Sequence, residues 1–450
     1  MAIRYGVVAA IGAYLLALAL MRASIPSGVQ REWVSIGGPQ GEPCSATMWT
    51  PRAPKGVILL GHGVSSNRGV MATAAKAFAR NGYAAVAFDF WGHGRSRERF
   101  DWRSNPAQVL AWCGWARERY QGLPLAYLGH SMGGFSGAEA FTEPAAVDAF
   151  VALGALPRSW PSGPTLVAAG RFEELFTPAE AGRRASGHAD VIISPYSNHA
   201  LETWDPKLLS RIVSWVDHTL GFPSGTTFPW LRWGLALLGT IVGCVAALHL
   251  AEALAGIRHP HARPAEPREG RRRWSANPYR VAGRMFGCKG IATPPRSGGM
   301  PLAALRGIVF AAVFITLLSF LLSGHIFTCS LNHPGRCLVW LALAPCMALF
   351  VFTDTWLLER VPLKNARGRF AVAALTRAVP LLAAGMALRF VGSGLAFAGM
   401  LLGILAFVLV MLSAIHTMAT RGAEDYCAGA FASAIVLAWT ISFWLPYAWG

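Results

Sequence analysis

The pattern of hydrophobic and polar positions divides the chain into two regions. Between residues 30 and 222, apolar runs of five or six residues alternate with stretches of helical periodicity. A run this short, bounded by glycine or a polar turn, indicates a buried strand rather than a helix. Strands that alternate with helices predict a mostly parallel, doubly wound sheet in an α/β domain. Residues 228–450 consist mainly of long apolar runs and predict an all-α transmembrane domain.

The order of elements within residues 30–222 follows from the same pattern. Two alternating segments, 31–36 and 43–50, predict a β-hairpin. Later strands are predicted at 56–60, 84–88, 124–129, 147–153, 164–169 and 190–194. Helices are predicted at 68–81, around Trp112, and at 132–143, 178–186 and 205–220. Because working residues of such sheets gather at the carboxyl ends of the strands, the candidate site is expected there.

The apolar runs predict one membrane span before the α/β domain and about six after it. The N-terminal segment 1–29 is interpreted as an uncleaved signal anchor, with a cleaved signal peptide as the alternative. The later runs lie at about 230–256, 302–324, 338–358, 371–390, 393–416 and 427–447. The run at 371–390 is the weakest, because it contains Arg377 and Pro380.

Charge placement predicts the orientation of these spans. The loop at 257–301 contains ten Lys or Arg and two Glu. Basic loops stay on the cytoplasmic side, so this loop and the N-terminus are predicted to be cytoplasmic and the α/β domain extracytoplasmic. The same loop would attract anionic lipid headgroups, which makes the bilayer a predicted partner. Cys329 and Cys337 would then face an oxidising compartment, either as a disulfide or as two unpaired thiols.

Composition supports a membrane protein and argues against a nucleic-acid-binding protein. The chain is 54% hydrophobic and only 14% charged, whereas soluble domains are about a quarter charged. The formal charge of +17 is concentrated in the loop, and no nucleic-acid-binding motif accompanies it. Within the apolar runs, His249, Glu252 and Asp354 are interpreted as residues at headgroup depth, paired with Arg306, or alternatively as a ligand site.

The strongest chemical signal is the pentapeptide Gly129-His130-Ser131-Met132-Gly133, a G-x-S-x-G pattern. It follows the strand predicted at 124–129 and precedes a predicted helix. At such a turn, small flanking residues leave room for a sharp bend that exposes the serine hydroxyl. The alternative, an ordinary turn serine, is disfavoured by this context. Ser131 is therefore the candidate nucleophile.

A serine nucleophile needs a base and a carboxylate that orients the base. His199 follows the last predicted strand, in a loop from which its imidazole can reach Ser131. Glu173 and Glu174 follow the strand at 164–169. Spacing favours Glu173 as the orienting acid and leaves Glu174 as the alternative. The backbone N–H groups of Met132 and Val64 are the candidate oxyanion donors.

These pieces resemble the α/β-hydrolase superfamily, particularly its small lipase, esterase and dienelactone-hydrolase-like members. The resemblance covers about 190 residues and rests on Gly61-His62-Gly63, Asp89 to Ser96, Gly129 to Gly133, Gly170 to Glu173, and His199. The chain order of nucleophile, acid and histidine is that of the family. The glutamate departs from the aspartate that members more often carry. Family members commonly insert a lid where this chain has about eight residues, 156–163.

The resemblance implies an α/β-hydrolase fold, and the short interval 156–163 predicts that it lacks a large lid and has an open pocket. Gly61, His62 and Gly63 are expected to border that pocket, with walls formed by Trp91, Trp102, Phe135 and Trp160. The predicted activity is hydrolysis of a small-molecule or lipid-like carboxylic ester, with an amide or thioester as alternatives. No metal or cofactor is required. A non-catalytic ligand-binding domain on a transport or signalling module and an acyltransferase remain alternatives, and the oligomeric state stays open.

Overall fold

The computed structural model describes residues 2–39, 41–142, 146–223, 225–256, 300–322, 334–359, 366–391, 393–423 and 425–444. Contacts between residues separate the chain into two compact units. One contains Leu20–Leu238 and therefore the whole sheet; the other contains Met1–Ala19, Gly239–Leu321 and Cys337–Ser442. The basic loop predicted at 257–301 lies almost wholly outside the described residues. Cys329 also lies outside them, so its pairing with Cys337 is not placed.

The first unit is built on one eight-stranded sheet. Its strands are β1 (Val29–Gly37), β2 (Pro43–Pro51), β3 (Gly56–Gly61), β4 (Tyr83–Phe88), β5 (Leu125–His130), β6 (Ala149–Leu153), β7 (Thr165–Gly170) and β8 (Asp190–Ser194). Their spatial order is β1-β2-β4-β3-β5-β6-β7-β8. Pairing is antiparallel for β1 with β2 and for β2 with β4, and parallel for all later neighbours. This is the α/β-hydrolase fold.

Helices cover both faces of this sheet because the central strands are apolar on both sides. Every residue of β3, β4 and β5 is buried, as expected for parallel strands between two helical layers. The covering helices are α2 (Ala72–Arg80), α3 (Asn105–Arg119), α4 (Met132–Ala140), α5 (Pro178–Ala185) and α6 (Pro206–Thr219). Two hydrophobic clusters, one on each face, form the main core. The doubly wound fold class predicted from the pattern is confirmed.

The connection between β6 and β7 is short, and no lid is inserted there. Residues 154–164 contain neither a helix nor a strand. The expectation that the fold lacks a large lid is confirmed. The loops at the carboxyl ends of the strands are therefore left uncovered by an inserted domain.

The remaining helices are long and apolar. They are α1 (Ala2–Ala23), α7 (Trp230–Ala255), α8 (Met300–Leu321), α9 (Pro334–Glu359), α10 (Ala366–Val391), α11 (Ser393–Ala423) and α12 (Tyr426–Trp444). Among the described residues, six of these helices have the length and hydropathy needed to cross a membrane. The seventh predicted run corresponds to a shorter apolar helix, Tyr426–Ser442. The six long apolar helices suggest a multi-span membrane region.

The weakest predicted run forms an unbroken helix, α10, despite its arginine and proline. Pro380 lies inside it, and Arg377 donates to Asp354 through Nε at 2.9 Å and to the Ser413 hydroxyl at 2.7 Å. The paired charge lowers the cost of placing Arg377 among apolar helices. The predicted partner Arg306 is wrong for this group: Arg306 donates to the Ala423 carbonyl, and Glu252 pairs with Arg421.

Candidate active site

Ser131 occupies a strained turn between β5 and α4. Its backbone has φ 51° and ψ −116°, a conformation that L-residues rarely adopt. The Ser131 N–H donates to the Leu153 carbonyl of β6 at 2.9 Å, which holds the turn against the sheet. Strain of this kind costs on the order of 1–3 kcal/mol and persists only where the surroundings enforce it. The turn lifts the serine side chain out of the strand direction.

Two glycines of the pentapeptide are required by close backbone approach. A Cβ added to Gly129 would meet the Gly133 carbonyl carbon at 2.2 Å. A Cβ on Gly133 would meet the Gly61 carbonyl oxygen at 2.5 Å. The Gly133 N–H also donates to the His62 carbonyl at 3.1 Å. The turn is therefore packed directly on the loop that follows β3, and no larger residue fits at either position.

His199 approaches Ser131 from the loop after β8. Its Nε2 lies 3.0 Å from the Ser131 Oγ, and its Nδ1 lies 3.0 Å from Glu173 Oε2. An ionised carboxylate accepts only, so Nδ1 carries the proton and Nε2 is left to accept the serine O–H. His199 is 5% exposed, so water does not compete freely for its ring. The arrangement can transfer a proton from the hydroxyl to the imidazole.

The two adjacent glutamates hold different parts of His199. Glu173 contacts the ring through Oε2 and accepts the N–H groups of Glu174 and Leu175 at 2.9 and 2.8 Å through Oε1. Glu174 accepts the His199 backbone N–H at 3.0 Å. Burial alone would raise the pKa of Glu173, but its hydrogen bond to His199 holds that pKa below the usual value. The favoured acid, Glu173, is the one that the fold brings to the imidazole.

A third glutamate, Glu202, lies behind the pair and was not anticipated from the sequence. It is fully buried, and its Oε1 accepts the Gly170 N–H at 2.6 Å. Among the described residues, its Oε2 meets no N–H or O–H donor. Burial and the nearby Glu173 carboxylate raise the pKa of Glu202 well above its usual value. The raised pKa favours the protonated form of Glu202, which can donate a hydrogen bond to the Glu173 carboxylate.

His130, the residue before the nucleophile, also contacts the site. Its Nε2 donates to the His199 carbonyl at 3.0 Å, and the two rings lie 4.8 Å apart. Burial lowers the pKa of His130 to about 3, so the ring is neutral. Its 3.7 Å approach to Glu202 is therefore not an ion pair. The position of this side chain depends on the turn at Ser131, where β5 ends, and not on the strand direction alone.

The two proposed oxyanion donors lie in different loops, Met132 at the Ser131 turn and Val64 in the loop after β3. Met132 N–H is the first of α4, where helical N–H groups have no partner within the helix. Within the described part of the chain, neither it nor the Val64 N–H donates to a protein acceptor. Gly63 lies against the nucleophile, since a Cβ there would meet the Ser131 Cβ at 3.2 Å. A substrate carbonyl oxygen placed between the two loops would find these donors.

Two residues expected at the pocket border are buried instead. His62 is fully buried; its Nδ1 donates to the Gly63 carbonyl at 2.7 Å, and its Nε2 accepts the Phe90 N–H at 3.0 Å. It therefore ties the loop after β3 to the loop after β4. Trp91, expected as a wall, lies in the hydrophobic core, and its indole N–H points to the Cys44 sulfur at 2.6 Å. Both side chains are therefore part of the buried packing around the site and do not form its border.

His130, His199 and Glu202 place potential metal-ligand atoms within 4.8 Å of one another. Those atoms already have partners: the His130 Nε2 bonds a carbonyl, and both His199 nitrogens are engaged by Ser131 and Glu173. The raised pKa of Glu202 disfavours the ionised carboxylate that a metal ion would need. The donor set therefore fits a hydrogen-bond network better than it fits a metal ion.

Comparison with known proteins agrees with the fold. Residues 52–188, less than a third of the chain, match the family described as serine aminopeptidase, S33. The matched stretch contains Ser131 and Glu173 and stops short of His199. No match was found among curated protein sequences.

Several solved structures are similar to part of the chain. A dienelactone hydrolase from Anabaena variabilis is 21% identical, with 42% of this chain and 96% of that one covered and a TM-score of 0.37. An esterase from Pyrococcus furiosus is 16% identical, with coverages of 43% and 94% and a TM-score of 0.37. An α/β serine hydrolase without lid from Xanthomonas campestris is 18% identical, with coverages of 44% and 95% and a TM-score of 0.36.

Proposed function

We propose that this protein is a membrane-bound serine hydrolase that cleaves a carboxylic ester through an acyl-enzyme on Ser131. The observation that carries the proposal is the continuous chain of contacts from the Ser131 hydroxyl through His199 to Glu173, with both steps at 3.0 Å. A domain that only binds a ligand has no need of a nucleophile, a base and an orienting acid in this order. The strained turn at Ser131 would also be costly without a use.

The reaction follows from these positions. The Ser131 Oγ attacks the ester carbonyl carbon while its proton passes to His199 Nε2. The negative charge that develops on the carbonyl oxygen is stabilised by the Met132 and Val64 N–H groups. Collapse breaks the bond to the alcohol, which leaves with the proton from His199. Water, deprotonated by the same imidazole, then attacks the acyl-enzyme and releases the carboxylic acid and free Ser131.

Exposed apolar side chains favour an ester with an apolar acyl group. The loops that carry Glu173 and His199, together with the loop after β3, carry large hydrophobic residues that are 39–64% exposed: Val64, Phe172, Leu175, Tyr196, Leu201 and Trp204. Exposed apolar residues concentrated on the loops next to one candidate site favour an interaction surface over ordinary scatter. With no lid to cover them, they would accept a lipid-like chain presented from the solvent or from a bilayer.

The proposal is tested by covalent labelling of the full chain in detergent with a fluorophosphonate probe. We expect the wild type to be labelled and Ser131→Ala to be unlabelled, with Ser162→Ala as the matched control because Ser162 is exposed and distant in sequence. Turnover of acyl esters of graded length should then rise with chain length. An unlabelled wild type would favour the binding-domain alternative. Ester products formed with an added alcohol would favour the acyltransferase.

We further propose that the hydrolase domain faces the extracytoplasmic side. The support is the concentration of basic residues in the loop at 257–301 and in the short loop at 359–369. Single cysteines introduced at Ser162 and at Ser275 provide the test in intact cells. An impermeant maleimide should label the first above the wild-type background and leave the second unlabelled. The reverse labelling pattern would invert the topology without affecting the catalytic proposal.

A further inference from the structure

A cavity of about 340 Å³ lies away from Ser131, where two apolar helices meet the hydrolase domain. It is lined by Pro26, Ser27, Arg80 and residues 227–232. Residues 26 and 27 follow the end of the candidate span Gly6–Ala23 by three and four positions, and Trp230 begins the candidate span Trp230–Ala255. Two of the three lining segments are thus the points at which the chain would leave and re-enter a membrane. Because these two segments border the ends of candidate spans, the cavity would lie at the level of the lipid headgroups.

The walls of the cavity are held together by polar contacts. Asn81, at the end of α2, accepts the Thr227 N–H and donates to the Thr227 carbonyl, both at 3.0 Å. Arg232, in the first turn of α7, donates to the Ala23 carbonyl and, at 2.7 Å, to the Ser27 hydroxyl. These two sets of hydrogen bonds connect the three segments that line the cavity. The cavity is therefore a built feature of the fold and not a gap between loosely placed loops.

The cavity combines positive charge with exposed apolar surface. Within the described residues, neither Arg80 nor Arg232 is paired with a carboxylate. Arg80 is exposed and has no hydrogen bond to a described residue. Beside these cations, Trp230 is 54% exposed and Leu231 is 71% exposed. Trp230 packs edge-on against Phe228 at 5.2 Å, which gives the cavity an aromatic wall.

We propose that this cavity binds one anionic phospholipid, with its phosphate between Arg80 and Arg232 and its acyl chains along Trp230 and Leu231. The charge complementarity selects an anion, because two unneutralised guanidinium groups face the cavity and arginine binds phosphate oxygens in a bidentate manner. The apolar residues at the start of a membrane helix select an amphiphile rather than a free ion. Tryptophan at this depth is the residue that membrane interfaces prefer.

Native mass spectrometry of the full chain in detergent tests the proposal directly. We expect one phosphatidylglycerol bound per chain and much weaker binding of phosphatidylcholine. Arg80→Gln should weaken phosphatidylglycerol binding by about tenfold, equivalent to about 1.4 kcal/mol, through loss of a charge-assisted contact. Leu231→Asn should weaken it as well, by removing acyl contact. Arg183→Gln is the matched control, since Arg183 is exposed on α5 at the far end of the sheet.

Three results would overturn the proposal. Equal binding of phosphatidylglycerol and phosphatidylcholine would exclude charge selection. An unchanged affinity in Arg80→Gln would exclude this cavity as the site. Displacement of the lipid by millimolar inorganic phosphate would identify a free-anion site. None of these readouts depends on hydrolysis, so failure here leaves the proposed ester hydrolysis untouched, and failure of hydrolysis leaves the lipid site untouched.

Discussion

Three buried glutamates surround His199, and each acts on a different atom. Glu173 meets the ring nitrogen, Glu174 meets the backbone N–H, and Glu202 lies behind Glu173 with a pKa raised well above its usual value. Two adjacent carboxyls cannot both ionise cheaply, so the proton on Glu202 helps to keep Glu173 ionised. The ionised Glu173 in turn stabilises the imidazolium that forms when Ser131 loses its proton.

Glu173→Gln should remove most of the activity without unfolding the site. The amide keeps the size of the side chain but cannot stabilise the imidazolium, and its N–H group favours the wrong tautomer of His199. By analogy with the aspartate of serine proteases, kcat should fall by about 10⁴-fold. Steady-state turnover of an acyl ester measures this. Glu174→Gln, which retains an oxygen for the His199 N–H, should lose far less. Equal losses in the two variants would contradict the assigned roles.

Glu202→Gln should retain activity and raise stability at neutral pH. The folded-state pKa of Glu202 lies above its unfolded value, so at pH 7 folding must protonate a group that is ionised in the unfolded chain. Glutamine removes that cost, still accepts the Gly170 N–H and still donates to Glu173. Thermal unfolding and ester turnover at pH 7 provide the measurement. A Glu202→Gln variant as inactive as Glu173→Gln would show that Glu202 is ionised, and Glu202→Ala should lose both stability and rate.

At this scale, the sequence predicted the residues that follow a recognisable strand end. Ser131, His199 and the adjacent glutamates occur at such ends, so their convergence could be expected. His130 and Glu202 could not be placed, because their roles depend on where a turn redirects a side chain. One signal was present: Glu202 lies three residues after His199 in the same loop. Spacing of that kind brings side chains together only if the loop is helical, and residues 202–204 form a 3₁₀ turn.

At the scale of elements, the turn between β5 and α4 depends on the absence of side chains at its glycines. Gly133 packs on the Gly61 carbonyl, and this contact holds the Ser131 turn against the loop after β3. The same replacement elsewhere in a helix would be harmless. Gly114, inside α3, is exposed and has no atom within 4 Å of an added Cβ.

Gly133→Ala and Gly114→Ala should therefore have opposite effects. The added methyl of Gly133→Ala collides with backbone, so the turn must shift, and fluorophosphonate labelling of Ser131 should be lost. Gly114→Ala should stabilise the domain by about 0.5–1 kcal/mol, because alanine loses less backbone entropy in a helix. Thermal unfolding and probe labelling of both variants provide the comparison. Normal labelling of Gly133→Ala would mean that the β3 loop can move without harming the site.

Element types were predictable where periodicity was strong, and boundaries differed by a few residues. The helix expected at 68–81 begins as a 3₁₀ turn over Arg68–Met71, because Asn67 caps the Gly69 N–H. The helix expected at 132–143 ends at Ala140. In the membrane region, the pattern underestimated α10, since a sequence does not show that Arg377 has a partner in another helix.

At the scale of the whole molecule, several buried groups carry protonation states that differ from those of the unfolded chain. Burial lowers the pKa of each of three histidines in the hydrolase domain, His62, His93 and His130, to about 3. Glu202 is shifted in the opposite direction. Such groups connect the stability of the domain to pH through the protons that only one state binds.

The signs of these contributions differ. Well above pH 6.5 the histidines are neutral in the folded and the unfolded chain, so they do not change the free energy of unfolding. Between pH 6.5 and pH 3 the three histidines bind protons in the unfolded chain but not in the folded chain. The free energy of unfolding therefore falls as the pH falls. At pH 5 this amounts to about 2 kcal/mol for each histidine. Glu202 has a higher pKa in the folded chain than in the unfolded chain, so folding takes up a proton in this pH range. The free energy of unfolding therefore rises as the pH falls from 7 toward 4.5.

Acidification from pH 7 to pH 5 should therefore destabilise the hydrolase domain, because three histidines outweigh one glutamate. Thermal unfolding of the full chain in detergent at the two pH values measures the loss. In His93→Gln the loss should be smaller, since one of the three contributions is gone. In Glu202→Gln it should be larger, since the opposing contribution is gone. A midpoint that stays constant between pH 7 and pH 5 in all three proteins would mean that the buried histidines are charged or reach water, and the neutral hydrogen-bond network around His199 would have to be redrawn.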